Sequence, residues 1–278
     1  MTESGSGFSV LMSVYKNDIP EDFLLAVKSV QEQTRKPSQL VLVVDGPISP
    51  ALKDAVKSVR STDVTNVTVE WLPHNMGLAA ALNIGLKLCQ YDLVARMDSD
   101  DYSVPDRFEY QVNLMRARPD VGLTYGWAKE FYKTPEECVR IKKSPASMEG
   151  VRKSLQYRNV LCHPSVMFRK KEVLKIGGYC ETVGLVEDWD LYLRLLQNGV
   201  VFLGLERTLL CIRVSEQQVL RRGGWAYVKN ELRFRYAHFK AGNIAPGPFA
   251  LTILPTIIFR LVPPSLKKNL YNAVREKI

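Results

Sequence analysis

Cysteine is sparse in this sequence and follows no pattern. The five cysteines, Cys89, Cys138, Cys162, Cys180 and Cys211, are scattered, and no two form a CxxC pair. That spacing argues against a zinc site or a disulfide framework and fits reduced thiols. No run of 18 or more apolar residues occurs, so no helix is expected to span a bilayer. The N-terminus, MTESGSGFSVLMSVYK, lacks a basic region, and its apolar stretch is about one strand long, so a signal peptide is not expected. Low-complexity tracts and internal repeats are also absent. What remains is a chain of 278 residues, 46% apolar and 24% charged. That size suits one large α/β domain, or one domain with a short appendage.

Charge of one sign is in excess. The formal net charge is +9. Between Arg207 and Lys240 eight basic residues face two acids, Glu216 and Glu231. Such a segment suits nucleic acid, an anionic membrane surface or a phosphate-bearing substrate, and it equally suits a solvated helix face.

Apolar periodicity orders the first hundred residues. FSVLMSVY (8–15), LVLVVDG (40–46), VTVEWL (67–72) and DLVARM (92–97) read as strands. Helical spacing fills 20–33, 50–60 and 76–89 between them, with Pro20 at a first turn. This alternation predicts a doubly wound, mostly parallel sheet flanked by helices. Further on, the pattern predicts helices over 106–117, 187–199, 224–241 and 264–277. Strands are predicted over 121–132, 160–170, 200–205 and 208–213, with a turn at 177–179.

Ligands of such sheets bind beyond the carboxyl ends of the strands. Ser13, Tyr15, Asp45, His74, Asn75 and Asp98–Asp101 stand at those ends. Asp98, Asp100 and Asp101 crowd three carboxylates into four positions, an arrangement that a divalent cation makes tolerable. A plain turn is the competing reading, and the position at the end of an apolar strand favours the metal. Asp45 reads as a partner for a base or ribose, or as a strand-end turn. Asn75, Gly77 and Asn83, in HNMGLAAALNIGL, read as groups facing a nucleotide or as a capped helix. Glu187, Asp188 and Asp190, in VEDWD, read as helix-start capping or as a general base, with Trp189 a possible wall for a sugar. His163 reads as structural or as part of the site.

Taken together, SVLMSVYKND, LVLVVDG, HNMGLAAALNIGL, ARMDSDD, PDRFEYQ, HPSVMFRK, GGYCE and EDWDLYLRLL resemble the inverting family 2 glycosyltransferases. The resemblance covers roughly 8–215. The whole chain is similar to the bacterial enzymes that build O-antigen and exopolysaccharide repeat units on a polyprenyl-diphosphate carrier. It implies a GT-A fold over 1–215 and a helical C-terminal region over 216–278. It implies a UDP-sugar donor, galactose or glucose above others, a lipid-diphosphate-linked acceptor, and Mn²⁺ or Mg²⁺. Carried over to these positions, it gives Tyr15 the nucleobase, Asp45 the uracil or ribose, and Asn75 and Asn83 the nucleotide pocket. Asp98 would lie near ribose and metal, and Asp100 would be the direct metal ligand with Asp101 adjacent. Arg107 would be a structural or pocket arginine. Asp188 would be the catalytic base, with Glu187 beside it.

Two departures from the family pattern stand out. The Arg-x-His segment of many relatives is replaced by CIRVSEQQVLRR, which leaves Arg213, Arg221 and Arg222 as candidates for the diphosphate. The QxxRW of processive synthases is lost, since Arg222 stands in place of Trp, so processive synthesis is not expected. The segment Phe249–Val262 is apolar but interrupted by Pro255 and Arg260, and Lys267 and Lys268 follow. It suits an element lying at the cytoplasmic face of the inner membrane, on anionic headgroups. A helix packed on the core is the alternative. Other functional readings are a sugar-phosphate nucleotidyltransferase, a catalytically silent sugar-nucleotide-binding or scaffold subunit, and a nucleic-acid binder. MSVYKND lacks the glycine-rich loop of the first, intact Asp100 and Asp188 count against the second, and clustered acids repel the phosphates of the third.

Overall fold

Four apolar strands make the centre of the molecule. In the computed structural model, which describes residues 7–59, 66–137, 139–214 and 223–262, β1 (Ser9–Val14), β2 (Gln39–Val44), β3 (Val67–Trp71) and β4 (Leu93–Met97) run parallel in the order β3-β2-β1-β4. The crossovers are α1 (Pro20–Gln31), α2 (Pro50–Val59) and α3 (Leu78–Leu88). Pro20 opens α1, and Glu21 and Asp22 follow in its first turn, where the helix dipole favours carboxylates.

Side-chain alternation divides the core between the two sheet faces. Val10, Met12, Val14, Leu40, Leu42 and Val44 pack with Phe23, Val27 and Val56 of α1 and α2. Leu11, Val41 and Val43 pack with Leu82 and Leu86 of α3. Both faces are covered, which is why these strands are continuous apolar runs. By the same alternation Arg96 stands on the α3 face of β4, next to Val94 and opposite Met97.

After β4 the strand order changes. The remaining elements are β5 (Tyr102–Ser103), α4 (Arg107–Ala117), β6 (Val121–Phe131), β7 (Arg140–Lys142), α5 (Met148–Leu155), a 3₁₀ turn at His163–Ser165, β8 (Met167–Arg169), α6 (Lys170–Lys175), α7 (Glu187–Gln197), β9 (Val201–Arg213), α8 (Trp225–Lys240) and α9 (Pro246–Leu261). The sheet continues as β4-β8-β6-β9-β5, with β7 paired to β6. Strand β8 is antiparallel to both neighbours, and β6 and β9 are parallel. The chain leaves β1 toward β2 on one side and returns to β4 on the other. The carboxyl ends of β1 and β4 therefore flank the point where the order reverses, the place where such sheets hold ligands.

Some expectations change. The strand predicted over 160–170 is a 3₁₀ turn followed by the three residues of β8. Pro164 lacks a ladder donor, and the hydroxyl of Ser165 donates to the Cys162 carbonyl at 2.7 Å, which closes the turn instead. The strands expected over 200–205 and 208–213 are one, β9, whose register against β6 shifts between Gly126 and Trp127. Glu206 and Arg207 bulge between the two paired stretches, which is why the apolar pattern breaks there. Helix 264–277 lies outside the described residues. The apolar segment 249–262 belongs to α9, with Pro255 inside it.

The C-terminal helices share the core of the sheet domain. Phe234 and Ile244 belong to the same apolar cluster as Leu191 and Leu195 of α7. The Phe234 ring lies 4.9 Å from that of Trp189, and His238 Nε2 lies 3.0 Å from Asp190 Oδ1. Among the described residues no helix is long and apolar enough to cross a membrane.

Candidate active site

The β2 end is closed by its own carboxylate. Asp45, 3% exposed, accepts from Asn75 Nδ2 at 2.9 Å, Met76 N at 2.6 Å and Gly77 N at 3.0 Å. These bonds hold the 75–77 turn against β2. The approach is close enough that a Cβ on Gly46, whose φ is +87°, would come within 2.5 Å of Asn75 N. Asn75 and Met76 remain exposed at the rim. Ser13 and Tyr15 are half-buried at the end of β1, and Tyr15 N donates to Asp18 Oδ2 at 3.0 Å.

The acid cluster stands at the end of β4. Carboxylate oxygens of Asp98, Asp100 and Asp101 lie within 4.8 Å of one another. Burial, then Asp98 and Asp18, push Asp100 up to about 7. Burial, Asp100 and Asp98 push Asp101 well above the usual carboxylate range. An all-oxygen set under this mutual repulsion fits a hard divalent cation, whose charge would offset it. The three are not equivalent. Asp101, buried, accepts from Arg213 N at 2.9 Å and so is partly committed to β9. Asp98 is ion-paired with Arg96.

Sequence reading missed Arg96 and Asp18. Arg96 is 2% exposed beneath the cluster. Burial works against its charge, and Asp98 beside it more than restores it. The same guanidinium acts electrostatically on Glu187, Tyr179 and His163, so its charge reaches both the acid cluster and the start of α7. Asp18 accepts from Ser99 Oγ at 2.7 Å and ties the β1 turn to the acidic loop. Their signals were an arginine inside an apolar strand and an acid after a strand end.

The α7 carboxylates differ from each other. Glu187 is 7% exposed, its Oε2 has no hydrogen-bond partner, and burial followed by Asp188 pushes it up to about 7. Asp98 also acts on it, so the two acidic groups lie within electrostatic range of each other. Asp188 is half-exposed, and its Oδ2 accepts from Asn159 Nδ2 at 2.6 Å.

Several expected ligands turn inward. Arg107 is 0% exposed: its Nη2 donates to the Arg96 carbonyl at 2.9 Å and its Nε to Gln111 Oε1 at 2.9 Å. It is a core residue and lines no pocket. Trp189 is 4% exposed, donates Nε1 to the Leu155 carbonyl at 2.8 Å and lies beneath Arg235, so it offers no ring face to a sugar. His163 is buried, sharing a 2.9 Å hydrogen bond with the Tyr179 hydroxyl, and burial holds it neutral. Asn83 brackets Tyr179, donating to its carbonyl at 2.9 Å and accepting from its N–H at 2.8 Å. That clamp docks the 177–179 turn on α3. Arg213 pairs with Asp22 at 2.8 Å and donates to the Asp100 carbonyl at 3.2 Å, so it braces the acidic loop. Arg221 and Arg222 lie outside the described residues.

The sequence model of glycosyl transferase family 2 matches residues 9–177. The chain belongs to glycosyl transferase family 2. Among curated proteins, this family 2 member is 34% identical over 274 residues to the UDP-Gal:alpha-D-GlcNAc-diphosphoundecaprenol beta-1,3-galactosyltransferase of Escherichia coli, covering 99% of this chain and 98% of that one. It is 34% identical over 272 residues to the amylovoran biosynthesis glycosyltransferase AmsE of Erwinia amylovora, covering 97% and 99%. Among solved structures, S. aureus TarS 1–349 in complex with UDP-GlcNAc superposes with a TM-score of 0.66 at 14% identity, over 91% of this chain and 72% of that one. The mannosyltransferase PcManGT from Pyrobaculum calidifontis, in complex with GDP-Man and Mn²⁺, gives 0.62 at 18% identity, over 94% and 71%. The fold is GT-A, and this family 2 enzyme is a hexosyltransferase.

Proposed function

We propose that this enzyme moves galactose or glucose, with inversion, from a UDP-sugar to a saccharide on a polyprenyl-diphosphate carrier. The reading includes dependence on Mn²⁺ or Mg²⁺ and work at an anionic membrane surface on the cytoplasmic face. The observation that carries it is the cluster of Asp98, Asp100 and Asp101 at the end of β4, within electrostatic range of Glu187 beside Asp188. Likeness over nearly the full chain to an enzyme whose name states UDP-Gal and a diphosphoundecaprenol acceptor supports the substrate class.

The chemistry follows from the residues. Asp188, half-exposed and hydrogen-bonded, takes the proton of the acceptor hydroxyl. The acceptor oxygen attacks C1 on the face opposite the diphosphate, the C1–O bond to the diphosphate breaks, and UDP leaves. One displacement inverts the anomeric centre, so no protein nucleophile is required. Asp100, with Asp98 and Asp101, would hold the Mn²⁺ or Mg²⁺ that, when bound, supplies positive charge for the departing diphosphate. Glu187, buried beside the base and raised to about 7, favours the proton's arrival on Asp188 where it is itself ionised, above that pH.

A membrane-facing role for α9 draws on its exposed face. Leu251, Leu254 and Ile258 are 67%, 64% and 57% exposed, and Trp225 of α8 is 63% exposed. Spacings of three and seven residues align the first three on one side of the helix.

UDP release across a panel of UDP-sugars, with a polyprenyl-diphosphate-linked GlcNAc acceptor, tests the reading. Release from one sugar in Mn²⁺, abolished by EDTA, is expected. Silence from every UDP-sugar, or release indifferent to EDTA, contradicts it.

A further inference from the structure

We propose that Asn159 is a positioning residue whose side-chain amide fixes the Asp188 carboxylate in the orientation that meets the acceptor hydroxyl. The inference rests on the reading of Asp188 as the base. Asn159 Nδ2 donates to Asp188 Oδ2 at 2.6 Å, while its own Oδ1 accepts from Leu161 N at 3.1 Å. The second bond decides which end of the amide faces the carboxylate, because only oxygen can accept from that N–H. Asp188 Oδ1 accepts from Trp189 N at 2.7 Å. Both carboxylate oxygens are thus oriented by hydrogen bonds, Oδ2 from the Asn159 amide and Oδ1 from the Trp189 backbone.

The segment carrying Asn159 is itself anchored on three sides. Tyr157 O accepts from Arg235 Nη2 at 3.1 Å, Val160 O from Ser144 Oγ at 2.8 Å, and Leu155 O from Trp189 Nε1 at 2.8 Å. The last of these joins the residue next to Asp188 to the end of α5, so two adjacent residues of α7 are tethered to one short stretch. A donor held this firmly orients its acceptor instead of following it. Chemistry favours an amide here. A lysine or arginine would orient the carboxylate equally well but would lower its basicity far more, since a full positive charge stabilises the ionised form.

Titratable groups around Asp188 are Glu187 on the same helix, Tyr192 one turn on, and Tyr179 from the 177–179 turn, with Arg96 of β4 acting on Glu187. Burial keeps both tyrosines neutral through the working range. Burial first, and then Asp188, raises Glu187, whereas the Asn159 amide is bonded to Asp188 itself, so the Asn159 variants act on Asp188 directly.

The test is the pH profile of kcat for Asn159→Ala and the isosteric Asn159→Asp, with donor KM and a thermal melt for each. Asn159→Ala should lower kcat about tenfold to a hundredfold at neutral pH, with donor KM within about twofold of wild type. Its acidic limb should move up by about one pH unit, because a hydrogen bond to the charged form is lost. Asn159→Asp should move the limb further, since two carboxylates at hydrogen-bond distance share a proton. Wild-type kcat and an unmoved limb in folded Asn159→Asp would overturn the proposal. An Asp188→Asn control separates the two levels. If it is inactive while Asn159→Asp is normal, the positioning role alone falls. If Asp188→Asn turns over normally, the base reading falls and the positioning role with it.

Discussion

At the scale of single residues, the crevice is governed by what surrounds each carboxylate. Asp45 accepts three hydrogen bonds from its own chain and fixes a turn. Asp101 accepts one and fixes a strand end. Asp100, raised by burial and then by Asp98 and Asp18, is a group that a cation would relieve. Replacing it should therefore separate stability from metal response. In Asp100→Ala, Mn²⁺ should no longer raise the melting temperature, while the metal-free protein should melt no lower than wild type, having lost a repulsion. Thermal melts with Mn²⁺ and with EDTA read both quantities, and an undiminished Mn²⁺ shift would remove Asp100 from the ligand set. The DSDD run was legible because three acids at the end of an apolar strand have few stable explanations. The burial of Arg107 and Trp189 was not legible. Which side of a helix faces inward is settled by Gln111, Leu155 and Phe234, none of which the local pattern identifies as a partner.

At the scale of elements, legibility followed periodicity. Strands β1, β2 and β4 and helices α1 to α3 were visible because apolar repeats of two and of about 3.6 residues are hard to confuse over a full element. Helices α5 and α6, eight and six residues long, are too short to show a period. The run 160–170 is apolar whether it forms a strand or a buried turn, so Pro164 and Ser165 had to decide it. The Asn159–Asp188 contact joins residues 29 apart in the chain and leaves no local trace. Helix α9 poses a different question, since its outward leucines have no partner within the described residues. If that face meets lipid, the triple change Leu251→Ser, Leu254→Ser and Ile258→Ser should cut co-flotation with anionic vesicles several-fold. UDP release from a donor alone, which needs no membrane, should be unchanged. Undiminished flotation would reject the face.

At the scale of the molecule, the acidic crevice sets how stability depends on pH. Asp100 and Glu187 are raised to about 7 from ordinary values of 3.8 and 4.5, both by burial first, and Asp101 is raised as well. The folded protein therefore binds these protons more tightly than the unfolded chain. Their contribution is full below the ordinary values and is lost as pH rises through about 7. His163, held below its ordinary 6.5 by burial, works the other way, since its contribution is lost as pH falls. Asp190 gains from His238 and Arg194 more than burial takes away, and its contribution is lost only at pH below its ordinary 3.8. Metal-free protein should thus melt at progressively lower temperature from about pH 5 to about pH 7, and Mn²⁺ should flatten that decline. Calorimetry in EDTA and in Mn²⁺ checks it, and a metal-free melting temperature that rises across this interval would contradict the buried acids.

The union of α7 with α8 has a consequence for how such proteins diversify. Phe234 lies against Trp189, His238 against Asp190, and Arg235 reaches the carbonyl of Tyr157, two residues before the amide that holds Asp188. The tail is therefore not an exchangeable cassette. A chimera that joins the sheet of one relative to the C-terminal helices of another must inherit these three pairs from one parent. Otherwise the seam runs through the floor beneath the proton acceptor, and the hybrid loses turnover even where both halves fold.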